Sequence, residues 1–251
     1  MKKLMAANWK MYKTVEQAAT VAKELAALLE NKMSGDREML IFPPFTAIAA
    51  VADALKDKDN FAVGGQNLHP ADEGAFTGEI SAAMLLDSGC QWALAGHSER
   101  RHIFGETDEQ VGAKMAFGLE KGLNMILCIG EKIEERRAGD VEAVLARQLE
   151  QGLAGVDKAI APERLSVAYE PVWAIGTGEI AGPDEIKHAH LFTRQKLNDF
   201  FGANADEIPI LYGGSVKPDS APAIMALDNV DGVLVGGASL KAESFSQIVV
   251  A

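Results

Sequence analysis

Ala168-Tyr169-Glu170-Pro171-Val172-Trp173-Ala174-Ile175-Gly176-Thr177-Gly178 is the stretch on which the fold turns. Just ahead of it the charged Arg164 gives way to an apolar, aromatic run, and Leu165 to Tyr169 therefore reads as a buried strand that Pro171 stops. Glu170 then stands at a strand's C-terminal tip, where a carboxylate can face a pocket. Pro171 has no N–H to continue a ladder, and Gly176 and Gly178 allow backbone angles that other residues avoid. Between these punctuators Val172, Trp173, Ala174 and Ile175 form an apolar patch on what should be a surface loop. A loop of that composition suits a lid that excludes water on closing. The plainer alternative is a salt-bridged glutamate followed by a loop packed onto the body.

Outward from this strand the same unit recurs. Short apolar runs are expected as strands at Leu4 to Asn8, Met39 to Phe42, Phe61 to Gly65, Trp92 to Ala95, Met125 to Ile129, Ile208 to Leu211 and Gly232 to Val235. Helical patterns alternate with them. Thr14-x-x-Gln17 and Thr107-x-x-Gln110 are capping boxes, and Val21, Leu25, Leu28 and Leu29 fall at helical spacing after the first. Further helices are expected over Phe45 to Leu55, Ser81 to Asp87, Glu131 to Arg137, Asp140 to Leu153 and from Pro183 to about Phe201, with Pro183 near a helix start. This makes eight strand-then-helix units of roughly 30 residues each, which favours a closed (β/α)8 barrel over an open doubly wound sheet. No linker or composition shift divides residues 1–251, so one barrel domain is expected. Asn8, Gln66, His97, Glu170, Ser215 and Gly236 all follow strands, and strand C-terminal ends are where such barrels place their chemistry.

Composition narrows the function. A hydrophobic content of 48% with 24 glycines suits a large packed core with many tight turns, and a net charge of −12 argues against nucleic acid or an anionic membrane as partner. The same charge poses a problem for an anionic substrate, which needs local positive potential. Lys2 and Lys3 precede too short an apolar run for a signal peptide, and no run approaches a membrane span. Cys90 and Cys128 sit in apolar contexts without metal-ligand spacing and are expected as buried thiols of a reducing cytoplasm. His188 and His190 are two apart on an expected helix and do not share a face; His69 and His102 lack partners at ligand spacing. Metal binding is therefore not indicated. The run Glu131 to Arg137 mixes signs and reads as a solvated helix. No Gly-x-Gly-x-x-Gly follows the first strand, so a dinucleotide is not indicated either.

Three groups of residues could carry chemistry. Lys10, two residues beyond the first strand, could supply positive charge to an anion and to developing oxyanion charge, or could be a solvated surface lysine. His97, at the tip of the fourth strand, could donate a proton or hydrogen bond to a substrate oxygen, or be satisfied by nearby backbone. Gly213-Gly214-Ser215 and Gly236-Gly237 follow the last two strands, and glycines there let backbone N–H groups approach a phosphate, with Ser215 as hydroxyl donor.

Asn8-Trp9-Lys10, Gly96-His97-Ser98-Glu99-Arg100-Arg101, the Glu170–Gly178 stretch, Tyr212-Gly213-Gly214-Ser215-Val216 and Gly236-Gly237-Ala238-Ser239 together resemble the triosephosphate isomerase family, in order and spacing from Met5 to Leu240. The resemblance implies a TIM barrel that interconverts dihydroxyacetone phosphate and D-glyceraldehyde 3-phosphate without a cofactor. It makes Glu170 the base, His97 the electrophile and Asn8 and Lys10 substrate-binding residues, with Lys10 stabilising charge; the family's histidine is itself the standard case of a neutral catalytic imidazole at a helix N-terminus. It implies Gly176 as a further phosphate contact beside Ser215, Gly236 and Gly237. Glu99 corresponds to a buried carboxylate paired with Lys10, and Arg100 and Arg101 are expected as structural ion-pair partners. The loop Gln66 to Glu79, carrying Gly74-Ala75-Phe76-Thr77-Gly78-Glu79, matches an interdigitating dimer loop, so a cytoplasmic homodimer is implied, with Thr77 reaching the Asn8–Lys10 region of the other subunit. Glu179-Ile180-Ala181 departs from the family's usual second lid hinge. A barrel aldolase using Lys10 as a Schiff-base amine and a non-catalytic phosphosugar-binding protein are the alternative readings.

Overall fold

The structure, a computed structural model, describes residues 1–175 and 181–251. Eight parallel strands close into a barrel in sequence order: β1 Lys3–Asn8, β2 Arg37–Phe42, β3 Phe61–Gly65, β4 Trp92–Ala95, β5 Asn124–Ile129, β6 Leu165–Tyr169, β7 Ile210–Tyr212 and β8 Gly232–Val235. Closure is made by β1 against β8, with Leu4 opposite Gly232 and Ala7 opposite Val235. The helices are α1 Val15–Leu29, α2 Ile48–Leu55, α3 Ala82–Asp87, α4 Ser98–His102, α5 Asp108–Glu120, α6 Ile133–Ala138, α7 Val141–Leu153, α8 Pro183–Phe201, α9 Ala221–Met225 and α10 Ala242–Val249.

The strands are apolar on both faces because both are covered. Along β1, Leu4 and Ala6 join the barrel interior with Leu40, Phe42, Trp92 and Leu94, whereas Met5 and Ala7 pack outward beneath the helices. The period of two thus separates two cores rather than a core from solvent. Helix starts follow the sequence signals: Thr14 N donates to Gln17 Oε1 at 3.0 Å, and Thr107 and Gln110 exchange reciprocal bonds of 3.0 and 3.3 Å. Cys90 and Cys128 are free and buried, and burial pushes the Cys90 thiol up to about 12 and that of Cys128 well above its usual value.

Two elements differ from their expected bounds. The seventh strand begins at Ile210 instead of Ile208, because Pro209 has no N–H for the ladder; its carbonyl instead accepts from Val167 N at 3.0 Å and Ser166 Oγ at 2.8 Å. The helix expected from Phe45 opens as a 3₁₀ turn, Phe45–Ala47, before α2. Among the described residues no helix is long and apolar enough to cross a membrane.

Candidate active site

Strand ends place the candidate residues. Asn8 closes β1 and its Oδ1 accepts from Lys10 N at 3.0 Å, while Gln66, just past β3, donates to Lys10 O at 2.8 Å and Phe42 O at 2.9 Å. Between these two grips Lys10 takes a φ of 50°, a left-handed conformation uncommon for a long side chain. Its ammonium is thereby directed across the barrel mouth, where Nζ lies 2.8 Å from Glu99 Oε1. The pairing matches the expectation; the burial does not. Glu99 is 39% exposed, because it stands on the first turn of the short α4 at the rim.

At the end of β4, Gly96 turns the chain with a φ of 73°, and a side chain there would meet Arg101 Nη2 at 2.6 Å. Its peptide is held from both sides: Gly96 N donates to Glu106 Oε2 at 3.2 Å and Arg101 Nε donates to Gly96 O at 2.7 Å. Glu106 is buried, which by itself would raise its carboxyl, but Lys114 and Arg100 outweigh burial and hold it below its usual value. Arg101 pairs with Asp108. Arg100 and Arg101 are thus structural partners, as expected.

His97 caps α4. Glu99 N–H points at His97 Nδ1 at 3.3 Å, so that nitrogen accepts and the ring proton is assigned to Nε2. His97 Nε2 lies 3.0 Å from Glu170 Oε1. Glu170 is buried at the tip of β6, and its carboxylate sits on the start of α4: Ser98 N donates to Oε2 at 2.9 Å and Ser98 Oγ to Oε1 at 3.1 Å. Gly213 makes room for this side chain, since a Cβ there would fall 2.9 Å from Glu170 Cγ. Ser98 was not among the residues singled out from sequence; its place directly after a helix-capping histidine was the available signal.

A cavity of about 280 Å3 opens over these groups, lined by Asn8, Lys10, His97 and Glu170 together with Ser215, Gly236 and Gly237. Gly236 stands where a Cβ would come 3.2 Å from Lys10 Cε, and a Cβ on Gly237 would meet open space. Ala174 and Ile175 supply an apolar wall. Gly176 and the remainder of the expected lid, Thr177 to Ile180, lie outside the described residues.

The start of that loop is anchored by a residue the sequence reading misplaced. Glu131, expected on a solvated helix, precedes α6 and is fully buried. Its Oε1 accepts from Trp173 Nε1 at 2.7 Å, Tyr169 OH at 3.1 Å and Arg136 Nη1 at 3.2 Å. Sign alternation described α6 itself, none of whose residues is buried, but not the residue ahead of it.

The arrangement brings a carboxylate, an imidazole N–H, an ammonium and glycine-flanked backbone to one small cavity. Comparison with known proteins identifies the family. A family model described as Triosephosphate isomerase matches residues 3–251. The triosephosphate isomerase of Nitratidesulfovibrio vulgaris strain Miyazaki F is 61% identical over 251 residues, and that of Oleidesulfovibrio alaskensis 59%, each with full coverage of both chains. A crystal structure of triosephosphate isomerase from Bartonella henselae is 38% identical, with a TM-score of 0.88 over 99% of this chain and 98% of that one. The chain belongs to the triosephosphate isomerase family.

Proposed function

We propose that this chain, as a single barrel domain, interconverts dihydroxyacetone phosphate and D-glyceraldehyde 3-phosphate through an enediolate, with no cofactor. The observation that carries the reading is the convergence of Lys10, His97 and Glu170 from three strand ends onto one cavity that Ser215, Gly236 and Gly237 also line. The phosphate binds at Gly236 and Gly237, on backbone N–H groups that glycine leaves uncovered, and on the Ser215 hydroxyl. The carbonyl end then lies between Lys10 and His97. A substrate oxygen takes over the His97 Nε2–H that Glu170 now accepts, and the freed carboxylate removes a carbon-bound proton. Lys10 and His97 stabilise the charge that collects on the two oxygens. Ala174 and Ile175 keep water from the intermediate, which would otherwise lose phosphate.

The Schiff-base alternative has less support. Lys10 Nζ is held by Glu99 at 2.8 Å, and an ion-paired ammonium offers no lone pair to a carbonyl. A sensor would have no use for the base Glu170. Incubation with dihydroxyacetone phosphate in deuterated water tests the reading directly. Deuterium should enter the carbon next to the carbonyl as glyceraldehyde 3-phosphate accumulates; binding without exchange would leave a phosphosugar-binding protein, and reductive trapping at Lys10 would leave an aldolase. The working form is a cytoplasmic homodimer joined through the Gln66–Glu79 loop, for which the exposed apolar residues considered below are the support.

A further inference from the structure

The phosphate end of the cavity holds a second cation that the mechanism above does not use. Lys217 lies two residues beyond Ser215 and lines the same cavity as Ser215, Gly236 and Gly237. Its backbone is fixed at the turn into α9: Lys217 N donates to Ser220 Oγ at 3.0 Å, and Lys217 O accepts from Ser220 N at 3.1 Å and Ala221 N at 2.9 Å. The residue is exposed, and among the described residues its ammonium has no hydrogen-bond or ion-pair partner.

The other lysine at the mouth is differently placed. Lys10 is matched by Glu99 at 2.8 Å, so that pair presents little net charge to an approaching anion. The whole chain carries −12, which repels a phosphate dianion at long range. Of the two lysines lining the cavity, Lys217 is the one whose charge is not already neutralised.

We propose that Lys217 is a further substrate-capture residue, whose unmatched ammonium draws the phosphate dianion to the Ser215 side of the cavity against the field of an acidic protein. The proposal rests on the phosphate reading of this cavity. It makes a contribution through space, from an exposed group, so it has three signatures that a structural role lacks. It should depend on salt, scale with charge, and fall on capture more than on turnover.

The experiment compares the parent with Lys217→Gln, Lys217→Glu and Lys217→Arg. For each, kcat and kcat/KM are measured at about 0.01 M and about 0.5 M ionic strength, where the screening length shrinks from about 30 Å to about 4 Å. At low salt Lys217→Gln should lower kcat/KM roughly 5-fold, as expected for one charge and a dianion about 8 Å apart in a water-like medium. Lys217→Glu changes the charge by two units and should lower it by about the square of that factor. Lys217→Arg should stay close to the parent, and at high salt all four should converge. The loss should appear mainly in KM, and calorimetric binding of glycerol 3-phosphate, a phosphate ester that cannot react, should follow the same order. Equal kcat/KM for Lys217→Glu and the parent at low salt would overturn the proposal, as would losses that persist unchanged at high salt or that Lys217→Arg shares. The two readings separate cleanly. An active isomerase indifferent to these variants removes only Lys217, whereas charge-ordered ester binding by an inactive chain removes only the isomerase. A parent that binds no glycerol 3-phosphate removes both.

Discussion

Glu170 divides two carboxylate oxygens among three donors, Ser98 N, Ser98 Oγ and His97 Nε2, so the proposed base is held where it can neither wander nor reach a substrate carbon without letting go. Glu170→Asp would withdraw the carboxylate by about one methylene, and a misplacement on the order of 1 Å can lower turnover roughly 100-fold. The proposed phosphate contacts Ser215, Gly236 and Gly237 are untouched by that change. Turnover should therefore fall steeply while calorimetric binding of glycerol 3-phosphate stays nearly constant; a matching loss of both would mean that the substitution spoils the cavity at large. Lys10→Met has a different profile. Its partner Glu99 is 39% exposed, so water can take over solvation of the abandoned carboxylate and thermal unfolding should shift little. Activity should nonetheless drop by about 100- to 1,000-fold, as when a preorganised donor at a developing oxyanion is lost. Near-normal turnover in this variant would take Lys10 out of the mechanism. The sequence identified Lys10, His97 and Glu170 as candidates because chemistry-bearing types stood immediately after strand patterns. It marked Gln66 only as a polar residue after a strand and did not disclose Ser98; that each holds another residue shows only when the strand ends meet.

At the scale of elements, α8 ties the outer layer to the start of β8. His190 Nδ1 meets Asn229 O at 2.7 Å and Arg194 reaches Asp231 Oδ2 at 2.7 Å, both from one face of the helix. His190 is fully buried, and burial lowers it from 6.5 to about 4; the Asn229 carbonyl opposes that shift and Arg194 adds to it. Its neighbours on β6 and β7 are the rings of Tyr169 and Tyr212, at 6.0 and 6.4 Å. Burial keeps both phenols above their usual values and hence uncharged. Since the folded value lies below the unfolded one, the unfolded chain takes up the proton first as pH falls. His190 therefore contributes stability that is complete above about pH 6.5 and is lost progressively down to about pH 4, roughly 3 kcal/mol in all. Urea unfolding at about pH 7 and about pH 4.5 should show a larger loss for the parent than for His190→Gln, and parallel losses would mean that this histidine does not govern the acid limb. Strands and capping boxes were legible because each is decided within a few residues, as in Thr107-x-x-Gln110. Pro209 was read for its apolar neighbours rather than for its missing N–H, which moved the start of β7. Glu131 was read by its sequence neighbours, although its partners Tyr169 and Trp173 lie some forty residues along the chain.

Taken whole, the molecule leaves apolar surface where an isolated chain has no use for it. Met11 is 93% exposed, Ile103 71% and Phe104 70%, with Tyr12, Phe76 and Met84 about half exposed. These residues belong to segments that follow β1, β3 and β4, within four neighbouring strands of the barrel. Scattered single residues need no partner, but several large side chains on adjoining segments suit an interface. The Gln66–Glu79 loop is itself folded rather than slack: Phe76 N and Glu79 N close turns of 3.0 Å, and the Phe76 ring rests 4.1 Å from that of His69. A folded loop with an exposed aromatic tip is suited to entering another surface. The Lys10–Glu99 pair joins the segments that follow β1 and β4, and a second copy docked over them, with Thr77 of the partner subunit beside Asn8 and Lys10, would cover it. Dimerisation would thus remove apolar surface from water and shield the Lys10–Glu99 ion pair. The parent should sediment at micromolar concentration with the mass of two 26.8 kDa chains. Thr77→Arg should shift it to one and lower turnover sharply, although it alters no group that meets the substrate within its own chain. A parent that sediments as a monomer and keeps full activity would show that the mouth is complete without a second copy. The exposed aromatic and aliphatic side chains would then call for some other partner.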